Sequence, residues 1–107
     1  MSAEKIRELN DRFRSTMTGG RVMLTAGVDA LPSDVKAMVI RRVATFSEFT
    51  PENDPHKEHD FGSFTLVGWK FFWKIDAYDA DLQFGSEDPA DPAKTTRVLT
   101  IMLASEY

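Results

Sequence analysis

Phe61-Gly62-Ser63-Phe64-Thr65-Leu66-Val67-Gly68-Trp69-Lys70-Phe71-Phe72-Trp73-Lys74-Ile75-Asp76-Ala77 decides the fold. Period-two alternation on either side of Val67-Gly68 predicts a β-hairpin with strands over Phe61 to Leu66 and Trp69 to Ala77. Alternation puts Phe64, Leu66, Phe71, Trp73 and Ile75 on a buried face. Ser63, Thr65, Phe72, Lys74 and Asp76 share the opposite one.

Downstream, Tyr78 to Lys94 reads as a loop in which Pro89 and Pro92 set an extended path. Thr95 to Ser105 reads as a strand alternating Leu99, Ile101 and Leu103 against Val98, Thr100 and Met102. A helix stays open there, because the run is apolar enough to blur its period. Upstream, Thr50 to Asp60 carries Pro51, Pro55 and turn-forming polar residues, and reads as a loop. Before it, a helix opens at Pro32 or Ser33, runs to about Phe46, and buries Val35, Met38, Val39, Val43 and Phe46. Arg42 falls within that apolar arc, which predicts a carboxylate partner, Asp60 or Asp76.

The chain begins with an amphipathic helix capped by Ser2, striped by Ile6, Leu9, Phe13 and Met17, and stopped at Gly19-Gly20. Arg7, Arg12 and Arg14 flank the stripe. Arg21 to Thr25 reads as a short strand, and Gly27 and Asp29 as a turn. The expected architecture is α+β: two helices on one face of a mainly antiparallel sheet of about four strands, in one domain over 1–107.

At 107 residues, with 42% hydrophobic and 28% charged residues, the chain has the composition of a soluble globular domain. It has no cysteine, which removes disulfides, thiolate nucleophiles and cysteine-bearing zinc sites and fits a reducing cytoplasm. No stretch has the length of a membrane span or the apolar core of a signal peptide, so a cytoplasmic location is expected. Net charge is −4, split into +3 over residues 1–46 and −7 over residues 47–107. Between Ile75 and Ala93 stand Asp76, Asp79, Asp81, Glu87, Asp88 and Asp91, with no Lys or Arg. Such a segment is a solvated loop or a surface that steers a partner of opposite sign. It argues against direct nucleic-acid binding.

Both histidines lie in His56-Lys57-Glu58-His59-Asp60. Imidazole and carboxylate groups at this density offer acid–base chemistry or a divalent-metal site at His56, His59 and Asp60, with Glu58 and Asp76 within reach of a fold. The spacing lacks the zinc-protease pattern, and the acids around Asp76 lack the glycine and distal glutamate of a calcium loop. The bland alternative is a polar loop whose histidines fix its shape. Trp69 at the hairpin turn and Phe72 on the outward face are candidate partner contacts, alongside Asp79, Asp81 and Asp88.

Asn53-Asp54-Pro55-His56, Glu58-His59-Asp60-Phe61-Gly62, Phe72-Trp73-Lys74-Ile75-Asp76, Asp88-Pro89-Ala90-Asp91-Pro92 and the segment Thr96 to Tyr107 together carry a resemblance. From about Leu9 onward the chain resembles a small alphaproteobacterial family of unknown function, number 3768 of the uncharacterised domains. The resemblance implies a bacterial protein of the kind carried on plasmids and other mobile elements, and supplies no activity, cofactor or site residue. The expected function is non-enzymatic: a regulatory protein whose acidic half meets a protein partner. The alternatives are a small metal-dependent hydrolase using His56, Glu58, His59 and Asp60, and a homodimeric module.

Overall fold

A computed structural model describes residues 2–107. Helix α1 spans Ser2–Thr16, strand β1 Arg21–Leu24, the single-turn α2 Ala26–Asp29 and α3 Ser33–Ala44. The hairpin β2 Phe61–Leu66 and β3 Trp69–Tyr78 follows, then β4 Thr96–Leu103. Short 3-10 turns cover Pro92–Lys94 and Ala104–Glu106. The sheet order is β1-β4-β3-β2. The β2–β3 and β3–β4 pairs are antiparallel, whereas β1 runs parallel to β4, so the sheet is mixed. The Gly27 and Asp29 segment, expected as a turn, closes one helical turn instead, and the second expected helix ends at Ala44, short of Phe46. The final run, expected as a strand over Thr95 to Ser105, is a strand over Thr96–Leu103 and turns 3-10 at Ala104, so the helical alternative does not hold for its apolar part.

Register explains where the core sits. Phe64, Phe71 and Leu103 lie in one cross-strand row, Gly62, Trp73 and Ile101 in the next, and Ile75 with Leu99 in a third. Against these rows pack Phe13 from α1, Val28 from α2, and Val39 and Val43 from α3. All three helices therefore cover the same face. Met38, expected in the core, is exposed, and Ile40 takes its place at the core's edge. Arg42 does not find the expected carboxylate among the described residues. Its guanidinium lies 5.2 Å over the Phe64 ring, where the quadrupole of the ring takes the role of the anion.

The opposite face has no helix among the described residues. Phe61 and Phe72 approach with centroids 5.5 Å apart, and Tyr107 closes on Phe72 at 5.2 Å. Glu106 fixes the segment that delivers Tyr107. It accepts hydrogen bonds from Thr25 Oγ1 (2.6 Å), Gly27 N (2.8 Å) and Leu103 N (2.9 Å), which hold its carboxyl below the usual range.

The hairpin turn carries strain. Both turn residues have positive φ, +45° at Val67 and +81° at Gly68. Glycine accepts that conformation, but a β-branched residue does not. Val67 is also exposed, so its side chain adds no core packing. Val67→Asn installs the residue this turn favours and is expected to stabilise by about 1 kcal/mol, raising Tm by about 4 °C. An unchanged or lower Tm would contradict the strain.

No helix is long and apolar enough to cross a membrane among the described residues.

Candidate functional site

The inward face of α1 is partly polar. Ile6, Asn10, Phe13 and Arg14 are its buried residues, an arc rotated from the expected Ile6, Leu9, Phe13 and Met17 stripe toward Asn10 and Arg14. Arg14 is 4% exposed and donates from Nη1 to the carbonyls of Val43 (2.8 Å) and Phe46 (2.9 Å). Its Nη2 donates to Asp11 at 3.0 Å. The guanidinium lies 4.9 Å over Trp73 and 5.4 Å over Phe49. Arginine was expected to flank this helix's apolar stripe, but here it is the stripe.

Asn10 joins three elements. Its Nδ2 donates to the Glu58 carbonyl at 2.9 Å, and its Oδ1 accepts from Arg97 Nε at 2.7 Å. Arg97 is buried at the start of β4 and also donates to the Pro89 carbonyl. Burial lowers its pKa, and the charge of Glu58 acts against that.

His59 completes the seam. Its ring stacks on Phe49 with centroids 3.7 Å apart and planes 4° from parallel. Nδ1 lies 2.9 Å from Asp11 Oδ1, and Nε2 lies 3.6 Å from Asp54 Oδ2. Asp54 is 5% exposed, and its Oδ1 accepts from the His59 backbone N–H. Lys57 and His59 both adopt positive φ, +58° and +54°, so the loop is held in an uncommon conformation by these contacts. Arg14, Asp11, His59 and Asp54 thus form one continuous polar chain from the end of α3 to the loop before β2.

Beside it opens a cleft of about 270 Å³ lined by Arg7, Phe49, Thr50, Pro51, Asp54, Lys57 and His59. Arg7 spans it by donating to the Lys57 carbonyl at 3.2 Å. The chemistry available is limited. Both nitrogens of His59 face carboxylates, and cleft residues offering a hydroxyl reduce to Thr50, whose Oγ1 accepts from Asn53 N (3.2 Å).

The residues expected to act together are dispersed. Of the two histidines, only His59 lines the cleft, while His56 is exposed on the loop. Glu58 contributes its carbonyl to Asn10, and Asp60 contributes its carbonyl to Ile75 N at 2.9 Å. Asp76 points outward from β3 and pairs with Lys74 at 3.1 Å. Among the described residues, no three His, Asp or Glu side chains converge to hold a metal ion. Trp69 is exposed at the hairpin tip, and Phe72 sits in the outward aromatic group. Asp79 Oδ1 accepts from the N–H groups of Asp81 and Gln83, and Asp88 Oδ1 from that of Ala90. These acids therefore shape their own loop while remaining negative surface. Sequence reasoning missed Asp11, Asn10, Arg14 and Arg97. The available signal was the i,i+4 step from Ile6 to Asn10 and from Asn10 to Arg14 on the inward arc.

Burial raises the pKa of both Glu58 and Asp60, and for Asp60 the nearby Asp54 and Asp76 add to it. A raised folded pKa means the folded state holds this proton more tightly than the unfolded state. The resulting penalty is absent below the ordinary aspartate value of 3.8, grows as pH rises from there to the raised folded value, and is complete above it. Asp60→Asn is therefore expected to raise Tm at pH 7, with the difference closing below that ordinary value. Thermal melts of both proteins across acid pH check it, and a lower Tm for Asp60→Asn at pH 7 would contradict it.

No curated protein and no solved structure matches the chain. A family model described as "Protein of unknown function (DUF3768)" matches residues 24–106. That span contains β2, β3 and β4, α2, α3, the His59 loop and the acidic segment, whereas α1, with Asn10, Asp11 and Arg14, and all of β1 but Leu24 precede it. Since the match covers most of the chain, this protein belongs to the DUF3768 family.

Proposed function

We propose that this domain is a non-enzymatic interaction module that docks a basic protein surface, of the kind nucleic-acid-binding proteins present, on its open sheet face. The observation that carries this reading is the uneven cover: the helices cover one face, and on the other Tyr107, itself 75% exposed, lies over Phe61 and Phe72, with Met102 buried beside Phe72. Trp69, 52% exposed, stands at the hairpin end on the side of Phe71 and Trp73, and so borders that face instead of lying on it. The acidic segment containing Asp79, Asp81 and Asp88 leaves the far end of β3 and supplies complementary charge. Aromatic anchors bounded by charge are the usual composition of a binding hot spot. The polar chain through His59 then serves to hold the fold rather than to react.

Capture from a lysate of the source organism tests this with three baits: wild type, Phe72→Ala/Tyr107→Ala on the open face, and Asp79→Asn/Asp81→Asn/Asp88→Asn. The expected result is a partner retained by wild type, released by salt and lost from both variants. Identical recovery on all three baits would overturn the proposal. A thermal-shift titration of zinc, manganese, nickel and calcium addresses the metal alternative. There, stabilisation of wild type that His56→Ala/His59→Ala abolishes would favour the enzyme reading instead.

A further inference from the structure

The outer edge of β2 is an open strand edge. In the β2–β3 ladder Leu66 faces Trp69 across the two-residue turn, and Ile75 N donates to Asp60 O. The even-numbered residues 60, 62, 64 and 66 therefore direct their backbone groups toward β3, and Phe61, Ser63 and Thr65 direct theirs away from it. Among the described residues, those outward N–H and C=O groups have no hydrogen-bond partner. Exposed edges are ordinarily blunted by charge, proline or a bulge. Strand β2, Phe-Gly-Ser-Phe-Thr-Leu, contains no charge and no proline, and its register with β3 is unbroken.

We infer that β2 is a self-association edge, pairing antiparallel with β2 of a second copy about a twofold axis through Ser63. This register is selected by satisfaction of backbone groups. Centred on Ser63, it opposes Ser63 to Ser63 and Phe61 to Thr65, so every outward N–H and C=O of the three residues finds a partner on both copies. Shifting the centre to Phe64 leaves Phe61 opposite the turn residue Val67, which is outside the strand. A centre between residues would place core-facing side chains opposite outward-facing ones. A twofold axis normal to the sheet also keeps the helices of both copies on one side, giving a continuous eight-stranded sheet.

Register favours a second copy over an unrelated strand. Pairing centred on Ser63 sets Phe61 in one open-face row with Thr65 and Lys70 of the other copy, so the open-face aromatic group of Phe61 and Phe72 continues across the axis beside the stem of that lysine, whose Nζ rests 5.4 Å over Phe72 of its own chain. The edge is distinct from the open face, so this inference does not depend on the proposed function.

The absence of native cysteine makes the test direct. Sedimentation equilibrium of the full chain is expected to give a dimer. Ser63→Lys sets two like charges opposite one another at the axis and is expected to give monomer at the same concentration, with an unchanged far-ultraviolet spectrum. Ser63→Cys is expected to form an intermolecular disulfide on mild oxidation, and Lys36→Cys, on the helix-covered side, is not. Should Ser63→Lys fail to fold, Thr65→Lys at the same edge replaces it. A monomer at all concentrations overturns the inference. A dimer that persists in the lysine variant and does not cross-link through Cys at 63 overturns it equally, as does recovery only of complexes between β2 and a foreign peptide.

Discussion

Replacing Arg14 with alanine is expected to destabilise the protein by about 3–5 kcal/mol, the cost of breaking a buried, hydrogen-bonded charge cluster. Three losses combine. The carbonyls of Phe46, just past α3, and of Val43, which otherwise accepts from the Phe46 N–H at 3.3 Å, lose the Nη1 donor that reaches them at 2.9 and 2.8 Å. Asp11 loses the cation that orients it toward His59. A cavity opens against Trp73 and Phe49, over whose rings the guanidinium lies. Arg14→Met restores volume but no donor, so it should recover a minor part of the loss. Arg14→Lys has no planar fork to serve two carbonyls and a carboxylate together. Since a domain of this size has about 5–15 kcal/mol in total, urea denaturation will resolve the effect easily. A loss under about 1 kcal/mol would show that the polar chain does not hold α1 to the sheet.

Gly62→Ala is expected to cost about 2–3 kcal/mol, although it adds one methyl group to a strand. A Cβ at position 62 would overlap Trp73 Nε1 and stand 2.7 Å from Cε2. Trp73 cannot retreat: it is fully buried, with Phe46 and Phe49 edge-on at 5.5 and 6.1 Å and Arg14 above it. The buried indole N–H has no hydrogen-bond partner among the described residues. The coupling is measurable as a double-mutant cycle. Trp73→Phe makes room, so Gly62→Ala should cost much less in that background than in wild type. Additive effects would mean that the overlap is relieved elsewhere.

These two positions also show what can be read from sequence. The β2–β3 hairpin was legible because its alternation and its turn are local. The strand now seen at Thr96–Leu103 was legible for the same reason, apart from its blurred period. The extent of α1 followed from Ser2 and the glycine pair, but its orientation did not. An apolar-stripe argument ranks Leu9 above Asn10 and Arg14, and buried polar residues invert that ranking only when distant partners satisfy them. Those partners are Val43, Phe46, Glu58 and Arg97, none of them close to α1 in the chain. The parallel pairing of Arg21–Leu24 with the last strand has the same character. His59 was visible as part of a dense polar cluster. Its partners Asp11, on α1, and Asp54, in a turn-rich loop, were not separable from surface acids by pattern.

The place of β4 between β1 and β3 sets an order of events during synthesis. The β2–β3 hairpin can close as soon as its own residues have emerged, whereas β1, made far earlier, has no neighbour until Thr96–Leu103 exists. Until that strand is present the apolar sides of α1 and α3 face a sheet only two strands wide. Pairing of the early β1 with the rest of the sheet therefore waits on β4, which enters between β1 and β3 and joins the halves.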